Sequence, residues 1–364
     1  MSRAMSSTSF SSTASPLMSA QELQSAIRNG EGVEKRDLRG AVLTGLDLSG
    51  GQFDRVDLRG AQLGGADLTE CDFMNCQFEQ ADLRGARLAK TTWHDCNLSH
   101  ARFEGADANG ASMLNCDLRS AQLQSSCFSN ATLLRCKLDD ARLAGLRADV
   151  LCVTECSAHR CDFSEALLEK TVFMEVDFAG ALWRAASLKN VVFAKAKLTG
   201  NVFAGLAMPM CQFVESNLAE SDFSGATIEH CMFKGAQLQG ALLRGVQARF
   251  ALFAEANLDG ADLSGGFFEQ TLWPRASLRT ANVRGARLAY ANFQAACCEG
   301  ADFRDTDLRF ADFSYADLRD ASFSHAGFDH TRLHRSAQDG ATWTSRRGVI
   351  EHDEPLLHAE LWSR

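Results

Sequence analysis

From Val33 to Leu333 one residue in every five is apolar, and the phase never slips. The series opens Val33, Leu38, Leu43, Leu48, Phe53 and closes Phe313, Leu318, Phe323, Phe328, Leu333. All 61 positions qualify, the smallest being Ala108, Ala148, Ala158, Ala248 and Cys298. With 46% hydrophobic residues in the chain, about 28 would fall there by chance. Two residues before each of these centres stands Ala, Cys, Ser, Thr or Gly at 50 of the 61 sites. The residue just before a centre is often Asp or Asn, and the one two after it is often Gly. A helix repeats every 3.6 residues and a strand every 2, so neither accounts for a period of five. A chain that turns a corner every five residues does, with one small and one large side chain pointing in and three pointing out.

Segments such as Ala66-Asp67-Leu68-Thr69, Ala261-Asp262-Leu263-Ser264-Gly265 and Ala311-Asp312-Phe313-Ser314 carry the unit A(D/N)LXX. In these the chain resembles the pentapeptide-repeat family over residues 31–345. The resemblance implies an all-β fold, a right-handed quadrilateral β-helix with four pentads, or 20 residues, per coil. About fifteen coils at a rise of about 4.8 Å make a rod about 70 Å long. The family likeness also extends to secretion-linked and effector proteins, and to DNA mimics that bind a type II topoisomerase (gyrase).

A period of 20 is visible in its own right. Cys76, Cys96, Cys116, Cys136 and Cys156 are evenly spaced by it, as are Cys211 and Cys231. Nine of the 13 cysteines fall on the small inward site. Stacked one rise apart with parallel Cβ vectors, they lie beyond the Cβ separation of about 3.8 Å that a disulfide prefers. The spacing therefore predicts a ladder of free, buried thiols acting as small hydrophobes. The same period gathers Phe173, Phe193, Phe213, Phe233, Phe253, Trp273, Phe293 and Phe313 into one internal aromatic column.

The ends depart from the repeat. Residues 1–18 are rich in Ser and Thr, lack an apolar run, and read as a disordered tail. Ser19 and Glu22 have capping-box spacing and Asn29-Gly30 is a helix stop, so residues 19–30 form a capping helix with Leu23 and Ile27 over the first coil. At the other end the repeat falters at Gln338 and returns once at Ala341-Thr342-Trp343. Residues 346–364 are a tail whose Pro355 opens a short helix. Its Leu356, Leu357, Leu361 and Trp362 are expected to cap the last coil, the alternative being to dock into a partner.

Chemistry is hard to place on such a rod. The sequence has no phosphate-binding glycine loop, nucleophile elbow or zinc motif, and a regular rod offers no deep pocket. The expectation is a protein that is not an enzyme and has no cofactor or metal site. The repeat histidines are assigned outward as solvated side chains, although His325, His330 and His334 lie within one coil. A net charge of −9, from 46 acids and 37 bases, gives no basic patch for nucleic acid. No run approaches the ~18 apolar residues of a membrane span, and the free thiols suit a reducing cytoplasm.

Function is then expected on the outer surface. Folding the sequence at 20 collects Val172, Val192, Gln212, Met232, Leu252 and Leu272 just before the aromatic centres. Just after them come Leu114, Leu134, Thr154, Met174, Ala194, Val214, Lys234, Ala254 and Pro274, and the adjoining corner includes Val150, Met210, Phe250, Tyr290 and Phe310. The other sides carry Asp, Arg, Gln and Gly instead. An apolar strip of about 40 Å by 10 Å approaches the largest patch of a typical monomer, which is often functional. Val172, Val192, Met210, Val214, Met232, Phe250, Leu252 and Leu272 are its candidate contact residues. The partner is expected to be a protein, either foreign or a second copy in a homodimer. The alternative, a duplex-DNA mimic that binds and modulates gyrase, needs on the order of 40 negative charges over this length. Here the sign alternates instead: Glu215, Glu220, Asp222 and Glu229 fill one coil, and Arg275, Arg279, Arg284 and Arg287 another.

Overall fold

A computed structural model describes residues 18–362. The tail expected at the N-terminus falls, apart from Met18, outside the described residues. The rest is a parallel β-solenoid of about 16 turns, with each residue pairing to the one 20 further along, as in Asp37 with Asp57 and Val42 with Gln62. Inter-coil hydrogen bonds run both ways from each pentad. The Leu38 N–H donates to the Asp57 carbonyl at 2.8 Å and the Asp57 N–H to the Arg36 carbonyl at 2.9 Å. The backbone of a chain with almost no helix is thereby satisfied.

Each coil has four sides and four corners. The first side carries Val33, Phe53 and so on to Leu333; the second starts at Leu38, the third at Leu43 and the fourth at Leu48. Of the 61 centres only Phe328 is not fully buried, and it packs against the core from the last turn. The first-side column stacks from Phe173 to Phe313 with ring centroids between 4.1 and 5.5 Å, within the range of favourable aromatic pairs. A shorter stack, Phe53–Phe73–Trp93, precedes it. Between the two stand Met113, Leu133 and Val153, and beside them lies a dry internal cavity of about 20 Å³ lined by Leu133, Val153, Ala158 and Phe163.

Every pentad ends in a corner with positive φ, but corners come in two kinds. Most are turns closed by a hydrogen bond, such as the Ala41 N–H to the Leu38 carbonyl at 3.1 Å. The others are three-residue strands, Gln52–Asp54 through Val192–Ala194 on the first side and Arg147–Asp149, Leu167–Glu169 and Ser187–Lys189 on the fourth. No strand-type corner is a glycine: they are Arg55, Asn75, Asp95, Asn115, Arg135, Val150, Glu155, Lys170, Glu175, Asn190 and Lys195. The closing hydrogen bond is missing there, so the next inward N–H needs another acceptor. In two places a side chain one coil on supplies it: the Cys136 N–H donates to Cys156 Sγ at 3.2 Å and the Ala196 N–H to Ser216 Oγ at 3.1 Å. The residues following strand pentads are accordingly Val56, Cys76, Cys96, Cys116, Cys136, Leu151, Cys156, Thr171, Val176 and Val191, with only Ala196 an alanine. The cysteine ladder thus belongs to the strand-type side.

All 13 cysteines are free. Burial pushes the Cys71 thiol up to about 12. The Cys116 thiol beside it, followed by burial, does the same for Cys136. Cys76 goes the other way, because the thiol of Cys96 hydrogen-bonds to it.

Helix α1 (Ala20–Arg28) has Ser19 as N-cap with a complete capping box. The Ser19 N–H donates to Glu22 Oε2 at 2.8 Å and the Glu22 N–H to Ser19 Oγ at 3.3 Å. Leu23 is fully buried and Ile27 packs beside it, closing the first coil. At the far end the coil continues past the faltering Gln338. Thr342–Trp343 pairs with Ser322–Phe323, and Val349–Ile350 with Thr331–Arg332, which adds a turn to the fifteen read from the sequence. Of the four expected lid residues, the side chains of Leu356 and Trp362 lie outside those described. Cover over the last turn comes from Phe328, Trp343 and Val349, while in helix α2 (Glu354–Trp362) Leu357 is half-buried and Leu361 is 58% exposed.

Candidate interaction face

The first side presents its outward columns as the sequence phase requires. Val172, Val192, Gln212, Met232, Leu252 and Leu272 are neighbours by direct β-bridges, so they form one unbroken file. Val172, Val192, Met232 and Leu252 are half-buried by one another, Val214 is half-buried in the next file, and Leu272 is 46% exposed. Met210 and Phe250 stand out at the fourth-side corner, 54% and 45% exposed. The corner column is stacked: His230 on Phe250 at 4.9 Å, Tyr290 on Phe310 at 4.8 Å, and Phe310 on His330 at 5.2 Å. The Arg249 guanidinium lies 5.7 Å from the Phe250 ring centre.

The corners on either side of this face are unlike the others. Glycine fills most corners flanking the opposite, third side, from Gly40 and Gly45 to Gly285 and Gly300. Along the two corners of the first side, glycine appears only at Gly50, Gly110 and Gly235. In their place Val150, Met210, Phe250, Tyr290 and Phe310 hold φ between 58° and 61°. That left-handed conformation is costly for bulky or β-branched side chains, by roughly 1–2 kcal/mol each. None of these five gains core contact in return.

Two sequence expectations need correction. Apolar exposure is not confined to one side: Leu182 and Val202, at 51% and 58%, stand on the third side, and Leu167 on the fourth. The first column also holds Val42, at 64%, and Leu242, and the second Phe267, but polar residues such as Asp222 and Gln247 stand between them, so they form short islands without a file. His334 is not solvated: it is 1% exposed, and its Nδ1 accepts the Asp353 N–H at 3.1 Å. It does point away from the solenoid core, but the chain after Val349 returns to cover it. Periodicity could not have shown this, because the covering segment lies beyond the repeat.

Charge on the remaining surface is locally neutralised. In each Asp-Leu-Arg segment, and likewise in Asp302-Phe303-Arg304, the arginine folds back on the aspartate two residues earlier, Arg304 Nε to Asp302 Oδ1 at 2.8 Å and Nη2 to Oδ2 at 2.5 Å. That guanidinium holds the Asp302 carboxyl below the usual carboxylate range. The arginine-rich coil is answered from the next one, Arg279 by Glu299 at 3.4 Å and Arg284 by Asp305 at 2.9 Å. Cys297, Glu299 and Asp317 bring three ligand-type atoms within 4.8 Å of one another. Both acids there already face arginine, Asp317 at 2.6 Å and Glu299 at 3.9 Å from Arg319. Among the described residues no helix is long and apolar enough to cross a membrane.

Comparison with known families finds the pentapeptide repeat region at residues 66–143. Pentapeptide repeats (8 copies) match 37–60 and, in overlapping stretches, 210–336. No curated protein sequence matches the chain. Among solved structures it is similar to a pentapeptide repeat protein from the Arabidopsis thaliana thylakoid lumen, at 28% identity over 28% of this chain and 72% of that one, TM-score 0.25. QnrB1, a plasmid-mediated fluoroquinolone resistance protein, matches at 19% identity over 46% and 96%, TM-score 0.23. HetL from the cyanobacterium Nostoc sp., a protein involved in heterocyst differentiation regulation, matches at 21% over 92% and 100%, TM-score 0.18. None of these likenesses bears on what this chain binds.

Proposed function

The chain belongs to the pentapeptide-repeat family, and from that premise we propose that it is a non-enzymatic binding scaffold whose first side docks a protein. One observation carries the reading. Met210, Phe250, Tyr290 and Phe310 occupy left-handed corners that glycine takes elsewhere, and they stay exposed there. Their backbone cost and solvent exposure bring the isolated fold nothing, whereas contact with a partner would bury them beside an apolar file. The duplex-mimic alternative draws less support, because so many surface acids are already held by arginine within the same chain.

The combined Val192→Ser, Met232→Gln and Leu252→Gln variant changes only outward side chains, so it should melt as the wild type does. Losing about 150 Å² of apolar contact at about 25 cal/mol per Å² removes several kcal/mol. Association should therefore weaken by roughly a hundredfold or more. Sedimentation and affinity capture of wild type and variant side by side measure this. Equal association by a well-folded variant in both assays would retire the first side as the binding face.

A further inference from the structure

Resting on the reading of the first side as a binding face, we propose that its occupant is a second copy of this chain, laid antiparallel across it. The argument comes from the order of charges along the first-side edge. Rising coil by coil, that edge carries Glu175, Lys195, Glu215, Lys234, Glu255 and Arg275, all exposed. The order is antisymmetric about the level midway between Glu215 and Lys234. A two-fold axis in the plane of the face, crossing the rod at that level, keeps left and right but exchanges up and down. Each copy then sets Glu215 against Lys234 of the partner subunit, Lys195 against its Glu255, and Glu175 against its Arg275.

The same axis brings apolar residues together. Leu252 comes over Val192 of the partner subunit and Leu272 over its Val172, while Met232 meets Gln212, the one polar member of the file. Met210 falls against the stacked pair His230 and Phe250, rings that suit a thioether. Register is fixed by sign alternation: sliding one copy by a single coil sets Glu175 against Glu255 and Lys195 against Lys234. Glu229 and Glu269 take no part, since they belong to the fourth side and face away round the corner. From Val150 to Phe310 the face spans eight coils. With its flanking corner side chains it offers on the order of 500 Å² per copy, about 1,000 Å² in all, the lower end for a specific interface. The dimer should accordingly be concentration-dependent, with edge charges deciding its orientation more than its strength.

The test is sedimentation velocity of the full chain over a concentration series. Lys195 and Glu255 lie three coils apart, about 14 Å, too far to pair within one molecule. Either Lys195→Glu or Glu255→Lys should weaken self-association about tenfold, since each reversal creates two like-charge contacts per dimer. The double variant should restore it to within about threefold. A wild type still monomeric at about 100 µM would overturn the proposal, as would a double variant that fails to recover. The Met232→Gln, Leu252→Gln variant separates the two readings. If it abolishes a dimer that ignores the charge reversals, the binding face stands and the antiparallel register falls. If the wild type is monomeric but captures a foreign protein that this variant loses, the face stands and the second copy falls.

Discussion

Between Gln52 and Lys195 the first side is made of short strands, and between Asn201 and Asp320 it is made of turns. The pentad and the frame are the same in both stretches. What differs is the bond that closes the corner, and the interior follows from it. Where the closing bond is absent, the next inward site on this side is mostly cysteine or valine, and at Cys136 and Ala196 a side chain one coil on serves the freed N–H. Where it is present, alanine predominates. The strand stretch also breaks its aromatic column at Met113, Leu133 and Val153 and leaves a cavity, whereas the turn stretch stacks rings without a gap. Backbone choice at an exposed corner thus reaches through to the packing behind it.

The largest expected effect tests the tighter stretch. Phe213 is fully buried between Phe193 and Phe233 at 5.0 Å from each. Phe213→Asp puts a charge into that column with no partner to relieve it, at several kcal/mol. Thermal melting should fall sharply. A wild-type melting curve would mean the inward phase is misplaced.

A smaller effect, of the opposite sign, is expected in the looser stretch. Val153→Ile adds one methylene beside a cavity of about 20 Å³ and should stabilise by up to about 1 kcal/mol. Denaturant titration measures it. The same addition at Val283, a site 1% exposed in the turn stretch, should be neutral or destabilising. Equal outcomes at the two sites would erase the packing difference between the stretches.

The smallest effect concerns what the two stretches share. Asp302 has its carboxyl depressed by Arg304, so the pair stabilises the fold above the ordinary carboxylate range. That contribution is lost as pH falls through the lowered value. Asp302 is about a quarter exposed and its arginine nearly half, which limits the term to a few tenths of a kcal/mol. Wild type should lose slightly more stability than Asp302→Asn between neutral pH and pH ~3. Parallel pH profiles would remove the pair from the account.

Much of this architecture was legible because burial has a fixed period. Counting by five from Val33 finds the core, and counting by twenty finds the aromatic column, the thiol ladder and the apolar file. The two corner types were harder to see, because each depends on one hydrogen bond. The signal was present as missing glycine at Asn75, Asp95 and Asn115 followed by cysteine. Non-periodic features escaped: the cover over His334, the extra turn past Gln338, and the failure of Leu361 to find the core. The apolar file of the proposed binding face was legible as an alignment of side chains. The charge order along its edge acquires meaning only when a second rod is set against it.

An unbroken frame also makes length a quantised property of this chain. Inserting one residue in a corner would turn every later inward side chain outward. Five residues would preserve the core but rotate all that follows by a quarter turn, carrying the file at Met232, Leu252 and Leu272 off the face begun by Val172 and Val192. Twenty residues alone would leave both intact and simply lengthen the rod by one rise of about 4.8 Å. Such a molecule can be extended or shortened only in whole coils if its apolar file is to stay straight. Its surface is in effect ruled like graph paper, where a residue number gives both height and heading.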